Sequence, residues 1–213
     1  METLLEEQQE LSTYDKLDKK IIYGRKVILF AFEPVDLDRF VELHQQDEKG
    51  YMLQYCLKKM DFEEARKYIA TLFFTRQVKC WSVYIKKGFI KGLKDNKRAG
   101  FVYLTDFEPH AVHIAGIMDT AVMRGLLKHL RRDKLTFAED TLRTLCNYLF
   151  NEIGLHRATV SVLANNRRSL VLNKKCGFKE EGRLREAFQM DDKYFDIIQM
   201  AILKKEWKDE SKG

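Results

Sequence analysis

The chain has 213 residues, with 38 Lys and Arg against 32 Asp and Glu, which leaves a net charge of +6 at pH 7. Hydrophobic residues make up 45% and aromatic residues 12%, with 2 Pro and 11 Gly, enough apolar material for one packed domain and too much for wholesale disorder. The charge is a mild field, mixed in sign along the chain, which suits an anionic small ligand or an acidic partner as well as nucleic acid; the Tyr and Phe scattered through the predicted core strands read as packing and not as a stacking platform, so nucleic acid is not the expected partner.

The longest uncharged apolar run, residues 27–32, is far short of the ~18 residues of a spanning helix. Residues 1–10 are acidic and lack the basic-then-apolar order of a signal peptide, so neither a membrane partner nor secretion is expected. Cys56, Cys80, Cys146 and Cys176 are far apart, with no CxxC pair and with apolar neighbours. They are expected to be reduced core residues of a cytoplasmic protein, not a disulfide frame or a zinc site.

In chain order, residues 1–22 are expected to be a charged appendage in which Thr3-x-x-Glu6 caps a short helix carrying Leu4, Leu5 and Leu11. Residues 26–32 (KVILFAF) predict a strand, and Asp36 then opens a helix through Leu37, Phe40 and Val41. Asp61-x-x-Glu64 is a capping box ahead of Phe62, Ala65, Tyr68, Ile69, Leu72 and Phe73 at helical spacing. The period then changes, with strands over 81–85, 100–105 and 112–118 and a polar turn over 91–97. Residues 121–130 predict a short helix. Thr136-x-x-Glu139 caps a stronger one through Leu142, Leu145, Cys146, Leu149 and Phe150, with Gly154 as its stop. Residues 157–163 (RATVSVL) predict a strand, and Asn166 caps a helix to Lys175 that Gly177 ends. Strands over 181–190 and 194–203 are expected to form a hairpin around Asp191-Asp192-Lys193.

Gly154, Leu155, Arg157, Val160, Asn166, Ser169, Leu172, Lys175, Gly177, Phe178, Glu181, Gly182, Leu184 and Arg185 stand in an order that resembles the GNAT acetyltransferase superfamily, in its ribosomal-protein N-terminal acetyltransferase (RimJ/RimL) branch. Tyr194, Asp196, Glu206 and Trp207 match the family's closing hairpin, and Gly100-Phe101 and residues 115–119 (AGIMD) resemble its third and fourth strands. The resemblance covers residues 23–207, leaves a polar tail over 208–213, and implies an α/β GNAT fold: a central, mostly antiparallel mixed sheet flanked by helices.

By resemblance the chain transfers an acetyl group from acetyl-CoA, without a metal, to a primary amine on a protein N-terminus or a small molecule, and it leaves a homodimer open. The family binds the CoA pyrophosphate with a Gly-rich turn before its third helix, where unpaired N–H groups and the helix dipole meet the anion. Here Lys134, Thr136 and Ala138 stand at the glycine positions, so the loop is degenerate. Arg124-Gly125 matches the start of the motif if 126–135 is an insertion. Phe137 lies in the same stretch, Ile117 and Met118 end the fourth strand, and Lys128, Arg131, Arg132, Lys134, Arg167 and Arg168 are candidate phosphate cations. Asn166 implies a contact to the pantetheine arm, and Ser169 an acid near the leaving thiolate. The family's Tyr acid is absent, with Asn173 in its place. A carboxylate base on the next strand is replaced by Phe188, and Glu186, two residues earlier and so on the same strand face, is the candidate base. The rival reading is a catalytically silent GNAT-like binding or structural module. His110-x-x-His113 falls on opposite strand faces and is not a metal pair on this reading.

Overall fold

A single eight-stranded sheet organises the computed structural model, which describes residues 14, 17–46, 57–75, 77–90, 93–119, 121–123 and 136–208. Strand β1 (Ile21–Tyr23) and β2 (Val27–Ala31) lead through a 3-10 turn (Pro34–Asp36) into α1 (Leu37–Gln46) and α2 (Phe62–Phe74). Strands β3 (Lys79–Ile85), β4 (Lys97–Glu108) and β5 (Ala111–Met118) follow as a meander. Helix α3 (Phe137–Asn147), a π-helical turn (Tyr148–Ile153), β6 (Arg157–Leu163) and α4 (Arg167–Lys175) precede the closing hairpin of β7 (Lys179–Met190) and β8 (Lys193–Leu203). The sheet order is β1-β2-β3-β4-β5-β6-β8-β7, antiparallel at every pairing except β5 with β6. A parallel neighbour needs a crossover, and α3 lies in that connection.

Helices cover both faces, and the strand pleat sorts residues between them. Val102, Leu104, Ile114, Val160 and Ile198 join Leu145 and Phe150 in one core beneath α3 and α4. Their strand neighbours Phe101, Tyr103 and Ile117 turn the other way, into a second core with Phe40, Val41 and Ile69 of α1 and α2. Each fully buried Leu, Ile or Phe contributes about 1.5–3 kcal/mol. An exposed ion pair such as Arg66 with Asp38 contributes about 0–1 kcal/mol, so the cores dominate.

Several expectations are refined. The first segment enters the fold from Leu17, which is fully buried, and the Trp81 indole donates to the Lys19 carbonyl at 3.1 Å, while Thr3, Glu6 and Leu11 lie outside the described residues. Of the helix expected over 121–130, residues 121–123 are helical and 124–130 lie outside the described residues, as does Cys56. The α3 segment ends its α-helical part at Asn147 and widens through the π-turn, burying Tyr148, Leu149 and Phe150 before Gly154 at φ 87°. The hairpin loop is only two residues, because Met190 pairs with Lys193.

Candidate active site

Strands β5 and β6 pair over only three positions, from Ala111 with Arg157 to His113 with Thr159, and then part. Each stays paired along its far edge: β5 to β4 as far as Met118, and β6 to β8 as far as Leu163. The edges facing each other over 114–118 and 160–163 are therefore left without strand partners, and a cleft of about 220 Å³ opens between them. Main-chain N–H and C=O groups at such an edge are obligate hydrogen-bonding groups and suit an extended ligand that carries amides.

The cleft passes through the sheet. Ile114, Gly116, Met118, Val160 and Val162 line it with Ala138, Thr141 and Leu142 of α3 and with Asn166, Ser169, Leu172 and Asn173 at α4. Phe101, Tyr103, His113, Ala115, Ile117 and Ser161 line the part that faces α1 and α2. Close packing shapes its wall, since a Cβ at Gly116 would stand 2.9 Å from the Phe101 carbonyl oxygen, and one at Gly100 would stand 2.1 Å from that of Ile117.

Thr136 caps α3, its hydroxyl accepting from the Glu139 N–H at 3.1 Å, which leaves the N–H groups of Phe137 and Ala138 without intrahelical acceptors. The two first-turn carboxylates do not occupy that end. Glu139 bonds Arg143 at 3.3 Å, and Asp140 accepts from the backbone N–H groups of Lys26 at 2.6 Å and Val27 at 3.0 Å. Phe137 is fully buried, so what it can offer a ligand is backbone; Ala138 is at the cleft wall.

At α4, Asn166 is both cap and cleft residue: its side-chain oxygen accepts from the Ser169 N–H at 3.2 Å. Arg168 is exposed in the first turn of the helix. Asn173 is buried, and its amide nitrogen donates to the Ser169 carbonyl at 2.9 Å and to the Ser169 hydroxyl oxygen at 3.2 Å. The carbonyl can only accept, which fixes the amide orientation, so the Ser169 oxygen accepts there and keeps its own proton to donate elsewhere.

Glu186 is not brought to the cleft. Leu184 pairs with Ile197 and Phe188 with Phe195, so three residues of β7 oppose one of β8, and the bulge breaks the alternation that would align 186 with 188. Glu186 sits in that bulge at φ 50°, exposed, with its N–H donating to Asp196 at 2.8 Å. Arg124, Gly125, Lys128, Arg131, Arg132 and Lys134 lie outside the described residues.

A residue with no site role on the sequence reading lines the cleft instead. His113, at the last β5–β6 pair, makes a 3.1 Å hydrogen bond through Nδ1 to the Thr159 hydroxyl, which itself donates to the Val112 carbonyl at 3.3 Å. Burial holds the imidazole below its ordinary pKa, with the Asp106 charge opposing the shift. The alternation Thr105, Tyr103, Phe101 against His113, Ala115, Ile117 was the available signal, since it places His113 on the face shared with those aromatics. No cluster of three or more metal-ligating side chains occurs among the described residues.

Compared with known proteins, residues 26–179 match the acetyltransferase (GNAT) domain profile, well over half of the chain. The chain belongs to the GNAT acetyltransferase family. Among curated relatives, this GNAT domain is 31% identical over 68 residues to YdaF of Bacillus subtilis (strain 168), provisionally named a ribosomal N-acetyltransferase. That match covers 32% of the chain and 37% of the relative. It is 32% identical over 71 residues to the spermidine N(1)-acetyltransferase of Vibrio cholerae serotype O1, covering 33% of the chain and 41% of that enzyme. The matches therefore span well under half of either relative. The V. cholerae spermidine N-acetyltransferase solved with CoA and spermine superposes with TM-score 0.63 at 20% identity, covering 85% of this chain and 97% of that one. A GNAT-family acetyltransferase from Bacillus anthracis gives TM-score 0.64 at 16% identity, covering 87% and 99%. At these identities the superpositions establish the GNAT fold.

Proposed function

We propose that the chain is an acetyl-CoA-dependent N-acetyltransferase that passes the acetyl group to a primary amine, on a protein N-terminus or a small amine. The single observation that carries this reading is the through-sheet cleft between β5 and β6, with a capped helix N-terminus on one side and a serine at its wall. The residues present fit the donor. The unpaired edges at Ile117 and Met118, with Asn166 opposite, suit the two amides of a pantetheine arm. The N–H groups of Phe137 and Ala138, which have no intrahelical acceptor, suit a pyrophosphate, and neither first-turn carboxylate is turned toward them. Thr136 stands where a glycine would, but its side chain is turned into the helix as the cap. Arg168, and Arg124, Gly125 and Lys134 in the preceding segment, complete the donor-binding set on this reading.

Transfer requires the amine nitrogen to attack the thioester carbonyl, the C–S bond to break, and a proton to reach the departing sulfur. Ser169 is assigned that proton, because Asn173 donates to its oxygen and so does not take up its O–H. The acceptor enters from the α1 and α2 side, where Phe101, Tyr103 and Ser161 line the cleft. The relatives named above support both acceptor classes: one name refers to ribosomal protein acetylation, the other to spermidine. The test is calorimetric titration with acetyl-CoA, followed by thiol release with peptide N-termini and with spermidine. Binding with transfer to one class assigns the acceptor. Binding without transfer to either would make the silent module the better account.

A further inference from the structure

Within the acetyltransferase reading, the chain needs a group to take the proton that the attacking amine loses, and Glu186 is outside the cleft. We propose that His113 is that general base, accepting the proton from the amine nitrogen at Nε2, directly or through one water. The hydrogen bonds fix which nitrogen is free. Thr159 spends its hydroxyl proton on the Val112 carbonyl, so toward His113 it can only accept, and Nδ1 must carry the ring proton. Nε2 therefore holds the lone pair, and among the described residues no hydrogen-bond partner is assigned to it.

The placement is complementary to Ser169. His113 lies at the vertex where β5 and β6 part, on the face of the sheet toward α1 and α2. Ser169 approaches from α4 on the opposite face, whose core includes Leu170 and Leu172 as flanking residues. An amine arriving from the first face has the base behind it and the leaving sulfur ahead. As the N–C bond forms, the nitrogen becomes a far stronger acid, so a neutral imidazole is basic enough to take its proton while the Ser169 proton goes to sulfur. The products are the amide and free CoA thiol, with Ser169 and His113 restored by proton exchange through solvent.

Burial keeps the imidazole neutral, which a base must be at the start of the step. The charge acting against this is Asp106 on β4; Tyr103 of β4 and His44 of α1 are the titratable neighbours on the same face, with their rings 6.3 Å apart. On β6, Arg157 is held by Glu181.

The proposal rests on the acetyltransferase reading, and the experiment separates the two. In the intact chain, His113→Asn keeps a donor for Thr159 but has no Nε2. With acetyl-CoA and the best amine of the screen, kcat should fall about 10²-fold with the acetyl-CoA Kd unchanged. The wild-type kcat/KM should lose activity at acid pH through a group below 6.5, and the variant should lack that limb. The amine's own ionisation, ~8 for an α-amine or ~10.4 for a lysine-like one, is common to both proteins and cancels. Long-range proton–nitrogen NMR of the imidazole should show the Nδ1–H tautomer, and Thr159→Val should weaken that preference and lower kcat without raising KM. An unchanged rate for His113→Asn, a retained acid limb, or an Nε2–H tautomer overturns the proposal while leaving the acetyltransferase reading in place. A wild-type chain that binds acetyl-CoA and transfers to no amine overturns both.

Discussion

The carboxylate of Asp140, in the first turn of α3, accepts a hydrogen bond from the backbone N–H of Lys26 at 2.6 Å, across 114 residues of chain. The same oxygen takes the Val27 N–H at 3.0 Å, so one buried side chain ties the helix to the turn between β1 and β2. Two consequences follow for the site. The helix N-terminus is held in a fixed direction, and its nearest acid is spent away from the anion-binding end.

Replacing Asp140 with Ala leaves two buried N–H groups without this acceptor, at roughly 1–3 kcal/mol for each unsatisfied group. Asp140→Asn keeps an oxygen in place and should cost less. Urea unfolding of both variants checks the order, and equal losses would mean that the charge and not the hydrogen bonding matters.

Gly24 sits against the same helix. An added Cβ would stand 2.2 Å from the Thr144 hydroxyl and 3.0 Å from Asp140. Gly24→Ala should therefore destabilise by about 1–3 kcal/mol through overpacking. Thr144→Ala in the same chain should recover part of that loss, a coupling readable from a double-mutant cycle. Strict additivity would show that the contact is not tight.

Ser169 and Asn166 separate chemistry from binding. Ser169→Ala should lower kcat while acetyl-CoA affinity holds, because an acid acts on charge that develops only as the thiolate leaves. Asn166→Ala should weaken acetyl-CoA by ~1–2 kcal/mol and also cost ~1 kcal/mol of stability, since its oxygen caps α4. Loss of stability alone would confine Asn166 to capping.

The pH dependence of stability follows from the direction of two sets of shifts. His113 is depressed below 6.5 in the fold, so the unfolded chain binds more protons between the two values. Its contribution is fully present above 6.5 and is lost as pH falls through the folded value. Asp196, Glu181 and Glu206 are also depressed: Asp196 by the Glu186 N–H and Arg183, Glu181 by Arg157, and Glu206 by Lys179 and the Leu203 N–H. Their contributions are present above the ordinary carboxylate range and are lost below it. Thermal midpoints should therefore fall in two steps on acidification, and His113→Asn should remove the upper one.

Much of this was readable from residue order because the signals are local. Capping at Asp61, Thr136 and Asn166 is a hydrogen bond within four residues, and the strand over 157–163 is a run of β-branched side chains on alternating faces. The splay that makes the cleft is not local: it depends on which edges of β5 and β6 find partners on other strands. Two-residue alternation puts Glu186 on the face of Phe188 only in an unbroken strand, and the β7 bulge shifts the register between Leu184 and Phe188. The environment of His113 is likewise not local: its hydrogen-bond partner Thr159 is 46 residues away in the chain. The partner of Asp140 is equally remote, since the Lys26 N–H that its carboxylate accepts is 114 residues away.

The most direct measurement of the central claim is backbone hydrogen exchange with and without acetyl-CoA. The account predicts slowed exchange over residues 114–118 and 160–163 and at the first turn of α3, with little change along the exposed β7 edge. Protection confined to other segments, or none at saturating acetyl-CoA, would contradict donor binding in the cleft between β5 and β6.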